Sequence, residues 1–315
     1  MLALYVLLLV MACTRQPNNN SQVSTPTPHD FGLKLSSKVL VGDPCGVEVI
    51  GSETWVVSCQ GKLLRVNLAT GAVRPSQLSG AIVSHDGVLA DESGFWALLV
   101  KQSGGRNRGV VEHLDPSTLP SELIQLGSTI PVHATRFGGR LWVATVDGRI
   151  LTLASGASTQ IVGPGKPLSL IAVDSSSVWT VGEDGDVTLR DRVTAHVRHL
   201  YRQVAPEAIS LLDVDGRLLV APGEGGLLEL NTQGREQRLN VRGRVNDMEL
   251  CQGSVWLSQP EFGGALAGRF GLRSMSREGK IQRTIQLEVG PRYISCNGAS
   301  LVVLSEDGRL GSIAV

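Results

Sequence analysis

The sequence predicts an all-β protein built from one structural unit that is repeated along the chain. The unit is clearest from Gly138 to Leu153, where two apolar strands flank Asp147-Gly148. Asp-Gly between two apolar runs predicts a β-hairpin with a two-residue turn, which needs positive φ at both central positions. Similar hairpins recur along the chain at Ser52–Leu68, Ser176–Asp191, Gly216–Asn231 and Ala299–Ala314.

The spacing of these hairpins sets the number of repeats. Each repeat has an anchor residue, usually Trp, at the centre of its first apolar strand. The anchors are Trp55, Trp96, Trp142, Trp179, Leu219, Trp256 and Val302. Neighbouring anchors lie from 37 residues (Trp142 to Trp179) to 46 residues (Trp96 to Trp142) apart, which is the period of a four-stranded propeller blade. The prediction is a seven-bladed β-propeller of four-stranded antiparallel blades over residues 31–315.

A short apolar strand precedes most anchors and is predicted to be the innermost strand of its blade. It is often opened by a proline, at Pro44, Pro131, Pro167 and Pro291. The last repeat stops after its third strand, and one unassigned apolar segment, Gly32–Val41, precedes the first repeat. We expect this segment to be the fourth strand of blade seven, because that pairing closes the ring and covers both open sheet edges.

The composition fits such a ring and excludes some functions. Lys+Arg and Asp+Glu both number 29, so the formal net charge is zero. Nucleic-acid binding needs a cationic excess, and it is not expected here. Charged residues make up only 18% of the chain and glycines number 37, as expected for short strands joined by tight turns. Almost no helix is expected after residue 31, and the closed ring is expected to be monomeric.

The first thirty residues indicate export. Leu2–Met11 is an apolar run too short to span a bilayer but long enough for a secretory signal. Val10-Met11-Ala12-Cys13 resembles a bacterial lipobox, which implies a signal peptide over residues 1–13 and lipidation of Cys13. A plain cleaved signal and an uncleaved anchor are the alternatives. Residues 14–30 are polar and aperiodic, and they predict a flexible tether to the membrane. The lipoprotein resemblance associates an Asp directly after the lipidated Cys with retention in the inner membrane, so Thr14 at that position implies the outer membrane or the cell surface within the envelope.

Four further cysteines fit a compartment that permits disulfides. Cys45 and Cys59 flank the first hairpin symmetrically about Ser52, so antiparallel pairing places them opposite one another. We expect them to be bridged. Cys251 and Cys296 lie on the inner strands of blades six and seven. They either meet across that interface or point apart as two buried apolar side chains.

The repeated order of proline, strand, Gly, Leu-Trp-Val, Asp-Gly, strand and Asn/Asp-x-x-Thr-Gly is similar to seven-bladed propellers of the YVTN, NHL and streptogramin-lyase type. The resemblance covers residues 31–315 and implies the architecture. It implies no single activity, because that superfamily contains enzymes, sensors and scaffolds. Its lyase-like and lactonase-like members use a metal ion at the channel mouth, but their ligand sets do not align residue by residue with this sequence.

A binding site is expected where the loops that enter the inner strands surround the channel mouth. Two enlarged hairpins, Lys101–Arg108 and Gln259–Phe270, lie on the same face, where binding function tends to collect. The candidate ligand-binding residues are His85, Asp86, His133, Glu207, Asn246, Asp247, Arg292 and Tyr293. These residues either form the polar lining of a wet channel or hold a ligand. In the second case Arg292 pairs with a carboxylate or phosphate, and His85 with Asp86 is an acid–base pair.

The leading hypothesis is a non-enzymatic envelope lipoprotein that binds a protein partner or a small polar ligand at the channel mouth. No catalytic residue, metal or cofactor is assigned, since the chain has none of the common motifs for a nucleophile, a P-loop or a metal. His196 and His199 are interpreted as a surface pair. The alternative is a lyase-like or lactonase-like enzyme with His85, His133 and either Glu207 or Asp247 at the same mouth. A quinone-dependent propeller is disfavoured, because aromatic residues are only 4% of the chain.

Overall fold

Short antiparallel strands build every repeat. A computed structural model of the protein describes residues 42–84, 87–91, 93–116, 121–154, 157–163, 165–266 and 268–315. Blade one contains β1 (Pro44–Ile50), β2 (Glu53–Ser58), β3 (Lys62–Asn67) and β4 (Val73–Gln77). Blade two contains β5 (Ala81–Ile82), β6 (Val88–Asp91), β7 (Gly94–Ser103), β8 (Arg106–Leu114) and β9 (Ser121–Gly127), with β5 and β6 both paired to β7.

The next three blades have four strands each, hydrogen-bonded in chain order. Blade three contains β10 (Pro131–Phe137), β11 (Arg140–Thr145), β12 (Ile150–Ala154) and β13 (Ala157–Val162). Blade four contains β14 (Leu168–Val173), β15 (Ser177–Gly182), β16 (Val187–Asp191) and β17 (Val197–Tyr201). Blade five contains β18 (Ser210–Val214), β19 (Arg217–Ala221), β20 (Leu227–Asn231) and β21 (Glu236–Leu239).

The last two blades depart from this pattern. Blade six contains β23 (Asp247–Cys251), β24 (Ser254–Gln259), β26 (Gly271–Met275) and β27 (Ile281–Gln286), and it carries a small extra sheet of β22 (Gly243–Arg244) and β25 (Glu261–Phe262). Blade seven contains β28 (Pro291–Cys296), β29 (Ser300–Ser305) and β30 (Leu310–Ala314). The predicted seven-bladed all-β propeller is confirmed. The described residues contain one short helical segment, a 3₁₀ turn at Gly264–Leu266. No helix among them is long and apolar enough to cross a membrane.

The repeated hairpin is confirmed, but its predicted turn type is wrong. In blade three Gly148 has a φ of +80°, whereas Asp147 is not among the residues with positive φ. The Gly148 amide donates to the Thr145 carbonyl at 3.0 Å, and the Thr145 hydroxyl donates to Asp147 Oδ1 at 2.7 Å. A type I turn followed by a left-handed glycine explains this geometry. Such a turn needs a left-handed residue only at its last position, which the glycine supplies.

In the part of the chain that the structure describes, seven apolar clusters form the core, one at each interface between consecutive blades. Between blades four and five, Trp179 packs with Tyr201, Leu218 and Leu230. Between blades seven and one, Tyr293 and Val302 pack with Val47. This last cluster closes the ring by side-chain packing. The predicted closing strand, Gly32–Val41, lies outside the described residues, as do the predicted signal peptide with Cys13 and the tether at residues 14–30.

Both cysteine pairs form disulfides. Cys45 and Cys59 join β1 to the end of β2, with Cα atoms 4.9 Å apart. The register differs from the prediction, since the hairpin turns at Gly51-Ser52 and Cys45 lies in a bulge between Gly46, which pairs with Val57, and Pro44, which pairs with Ser58. Cys251 and Cys296 bridge the inner strands of blades six and seven, with Cα atoms 5.7 Å apart. Of the two arrangements left open by the sequence, the structure has the one in which these residues meet.

Candidate functional site

The inner strands of the blades surround a channel, and strand register places their side chains in two tiers. The lower tier lies opposite the anchors and consists of Glu48, Leu89, Thr135, Ala172, Leu212, Glu249 and Ser295. The upper tier lies two residues earlier and includes Gly46, His133, Leu170, Ser210, Asp247 and Tyr293. Among the described residues of the two tiers, the acidic side chains are Asp247 and Glu249 of blade six and Glu48 of blade one. Negative charge is therefore confined to one side of the described channel wall.

Asp247 lines a central cavity of 160 Å³, and its carboxylate bridges blades six and seven. Oδ2 accepts a hydrogen bond from the Ile294 amide at 2.8 Å, and Oδ1 accepts one from the Met248 amide at 2.7 Å. Burial nevertheless raises the pKa of Asp247 to about 7, because enclosure in the ring removes water from the charged form more effectively than the two amides and the Ser210 hydroxyl stabilise it.

His133 occupies the equivalent upper-tier position of blade three and makes the equivalent bridge. Its Nδ1 accepts a hydrogen bond from the Ile171 amide of blade four at 3.2 Å. Burial lowers the pKa of His133 to about 4, so the ring is neutral at pH 7 and carries its proton on Nε2. Two predicted ligand residues therefore also hold consecutive blades together.

Glu249 is the unusual group of the channel. Its side chain is enclosed by the ring but faces the central cavity. Burial raises the pKa of Glu249 to about 8, and the nearby Asp247 charge adds to the rise. Within the described part of the chain, its carboxyl group makes no hydrogen bond. Glu48, in the same tier on blade one, accepts a hydrogen bond from Ser295 Oγ at 3.2 Å.

The sequence analysis missed both glutamates. Alternation along a strand places residues i and i+2 on the same face, and Glu249 follows Asp247 at that spacing. The same rule places Glu48 two residues after Gly46 on β1. The alternation was visible in the sequence, but the candidate residues came from the loops that enter the inner strands, and both glutamates lie deeper in those strands.

Above the central cavity, a recess of 190 Å³ forms part of the channel mouth. It is lined by Ile209, Arg244, Asn246, Arg292, Tyr293 and Glu306. Arg292 donates to Asp43 Oδ1 at 3.1 Å, and Asn246 Nδ2 donates to the Pro291 carbonyl at 3.4 Å. Tyr293 lines both the recess and the central cavity, so the two spaces adjoin.

Arg244 reaches this recess because of the enlarged hairpin of blade six. The hairpin carries β25, which pairs with β22 and holds Gly243 opposite Phe262. Gln259 Nε2 fixes the same segment by donating to the Arg242 carbonyl at 3.0 Å. The Arg244 side chain itself makes no ion pair with any residue that the structure describes. The enlarged hairpin of blade six, which the sequence predicted to be functional, thus places one cationic side chain, that of Arg244, at the mouth.

Of the remaining candidates, Glu207 is described by the structure and does not join this group. Glu207 lies on an exposed loop with a φ of +51° and is not among the residues that line the recess or the central cavity. His85 and Asp86 lie outside the described residues. Among the described residues, no three or more His, Cys, Asp or Glu side chains are grouped so that they could hold a metal ion.

A lower cavity of 330 Å³ continues from His133 towards the opposite face. Asp213 lines it, and burial raises the pKa of Asp213 to about 6, with the charges of Asp174 and Asp215 adding to the rise. Thus the channel has titratable carboxyl groups at two depths.

No protein-family model matches the chain, and no curated protein matches it in sequence. Solved structures do match its fold. A catalytically inactive variant of virginiamycin B lyase from Staphylococcus aureus, solved with quinupristin, has a TM-score of 0.65 at 14% identity, over 90% of this chain and 99% of that chain. The WD40 propeller domain of Doa1 has a TM-score of 0.67 at 15% identity, over 90% and 97%. Selenomethionine-substituted virginiamycin B lyase from the same species gives 0.63 at 13%, over 89% and 97%. The chain is thus a propeller that resembles streptogramin-lyase-like proteins in fold.

Proposed function

We propose that this protein is a non-enzymatic ligand-binding propeller that takes a small polar molecule into its channel from the mouth beside blades six and seven. The supporting observation is Glu249, an enclosed carboxyl group that faces a 160 Å³ cavity without a hydrogen-bond partner among the described residues. Glu249 is half-buried, and the narrow channel removes part of the hydration of its charged form; a ligand that supplies donors or positive charge replaces that hydration. We therefore expect the ligand to carry an ammonium group or several hydrogen-bond donors.

The location of Glu249 favours a small molecule over a protein partner. The carboxyl group lies inside the ring, and a cavity of this volume holds a molecule of about six heavy atoms. Arg244 at the mouth can pair with an acceptor or anionic group at the other end of the ligand.

Binding is favoured over the lyase-like alternative by what His133 and Asp247 already do. His133 accepts a hydrogen bond from a backbone amide of the next blade through a ring nitrogen, and Asp247 accepts one through a carboxylate oxygen. For His133 this leaves no free ring lone pair for a general base or a metal ligand, since Nδ1 accepts the amide and Nε2 carries the proton. Similarity at 14% identity to virginiamycin B lyase concerns the fold.

The binding proposal is tested by isothermal titration with ethanolamine, glycine and acetate. We expect ethanolamine or glycine to bind, and acetate alone to bind more weakly. Glu249→Gln should weaken binding about tenfold or more, the range expected when a charge-assisted hydrogen bond is lost. Glu236→Gln, on the exposed outer strand of blade five, is the matched control and should bind normally. Equal affinities in Glu249→Gln and wild type would contradict the proposal, as would the absence of binding by either amine.

We further propose that lipid on Cys13 anchors the propeller in the bacterial envelope. The two disulfides support export, because such bonds persist in oxidising compartments. Replacement of Cys13 by Ala should move the protein from the membrane to the soluble fraction or leave an uncleaved precursor. Normal processing together with unchanged membrane partitioning would refute the anchor.

A further inference from the structure

Blade four departs from the repeat on the face that it presents to blade three. In each blade, one third-strand residue pairs with the residue just before the anchor and faces the preceding blade. Six blades have an apolar residue there: Val66, Leu114, Leu153, Leu230, Met275 and Ile313. All six are buried in the interface clusters. Blade four has Arg190, which pairs with Val178.

A second position on the same face shows the same departure. The residue just after the anchor is aliphatic and buried in six blades: Val56, Ala97, Val143, Val220, Leu257 and Val303. In blade four this residue is Thr180, whose strand partner is Thr188. The interface cluster between blades three and four correspondingly has the fewest buried apolar members of the seven among the described residues.

These polar residues line a cleft of 520 Å³ between blades three and four. Its apolar walls include Val162, Leu168 and Leu200, and its polar lining includes Thr180, Thr188, Arg190 and Arg202. The volume lies within the usual range of small-molecule sites. This cleft is separate from the channel, since the residues that line it are not those of the central cavity or the mouth recess.

The charges of the cleft leave two guanidinium groups available. Lys166 is already paired with Asp184 at 2.7 Å and with Asp186 at 3.3 Å. Arg190 donates from Nη1 to the Ala195 carbonyl at 3.2 Å, whereas its buried Nε has no hydrogen-bond partner. Arg202 makes no ion pair with another residue in the described ranges. An anion in the cleft can therefore accept hydrogen bonds from both arginines without breaking an ion pair.

We propose that the cleft between blades three and four binds an organic anion, with its anionic group on Arg190 and Arg202 and its apolar body against Leu168 and Leu200. The hydroxyl groups of Thr180 and Thr188 provide further donors along the wall of blade four. The charged arginine stands where a packing residue stands in the other six blades, so the site is built into the interface.

The test compares two fluorescent probes of nearly the same shape. Anilinonaphthalene sulfonate carries a sulfonate on an apolar body, and N-phenyl-1-naphthylamine is the neutral analogue without it. We expect saturable binding of the sulfonate to wild type. Arg190→Leu restores the residue type of the other blades and should weaken sulfonate binding about tenfold or more, while the neutral probe binds as well or better. Arg202→Gln should also weaken sulfonate binding.

Two controls keep the result specific. Arg238→Gln removes an exposed arginine from blade five, and Glu249→Gln alters the channel; both variants should bind the sulfonate normally. Thermal melts should show that Arg190→Leu is folded. Unchanged sulfonate affinity in Arg190→Leu would overturn the proposal. An equal loss of both probes would also overturn it, because charge would then not be what the cleft recognises.

Discussion

The two faces of blade four show how the same repeat can serve either packing or binding. Towards blade five, Trp179 and Leu189 are fully buried in a continuous apolar cluster. Towards blade three, Arg190 and Thr180 interrupt the packing and a cleft opens. Side chains alternate between the faces of a strand, so substitutions on one face leave the other intact. The channel follows the same rule, since Asp247 and Glu249 share one face of β23, while Met248 between them packs in the core.

The largest expected effect concerns the closure of the ring. Two truncated proteins, starting at residues 31 and 42, differ by the predicted closing strand. We expect the first to melt cooperatively and the second to aggregate or lose cooperative unfolding, because β30 would lose its backbone partner and expose a sheet edge. Identical melting curves would show that another segment completes blade seven.

The next effect compares the packed and the open face of the blade-four region. Trp179→Ala and Trp142→Ala should each cost about 3–5 kcal/mol of unfolding free energy through the cavities they leave. Trp179 should lie at the upper end, because Trp142 packs in the smaller cluster beside the cleft. Chemical denaturation of both variants measures this difference. A cost below about 1 kcal/mol for Trp142→Ala, the scale of a surface substitution, would mean that its placement in the interface is wrong.

The sequence predicted the repeated parts of the molecule well, because anchors, alternation and glycine turns are local signals. It also predicted the Cys45–Cys59 bridge from spacing along one hairpin. It could not predict that His133 and Asp247 accept amides from the next blade, since those donors lie 38 and 47 residues further along the chain. Arg244 was missed because its place at the mouth depends on the pairing of β22 with β25 of the enlarged hairpin, which is not part of the repeat pattern. Arg190 could have been found by aligning the third strands of all seven blades.

The pH dependence of stability separates the acidic channel from the rest of the ring. The folded-state pKa of Glu249 is raised from 4.5 to about 8, so its contribution to stability is fully present below pH 4.5 and is lost as the pH rises through 8. Asp247 acts with the same sign between 3.8 and about 7. Glu249→Gln should therefore reduce the loss of stability between pH 5 and 8.5, as measured by denaturation at each pH. An unchanged slope relative to Glu236→Gln would contradict this assignment.

His133 should have the opposite effect in acid. Its folded-state pKa is lowered from 6.5 to about 4, so its contribution to stability is present above pH 6.5 and is lost as the pH falls through 4. His133→Gln should flatten the acid limb of the stability profile. If the limb is as steep in this variant as in wild type, His133 is not held neutral by burial.

The smallest expected effect is a gain in stability at the cleft. Arg190→Leu replaces a partly desolvated guanidinium with the residue type used in the other blades. We expect the unfolding free energy to rise by about 1 kcal/mol, because an apolar residue of similar size usually packs better than a poorly compensated charge. Urea denaturation measures this change. A clear loss of stability would show that Arg190 is a structural residue of the interface.

The most direct measurement for the channel is the titration of the Glu249 carboxyl carbon by NMR. Glu249→Gln identifies its signal, and ethanolamine is added at saturation in a second titration. A midpoint of about 8 without ligand, falling when the ammonium group binds, is the predicted result. An ordinary midpoint near 4.5, unchanged by the amine, would contradict the account of the channel as a binding site.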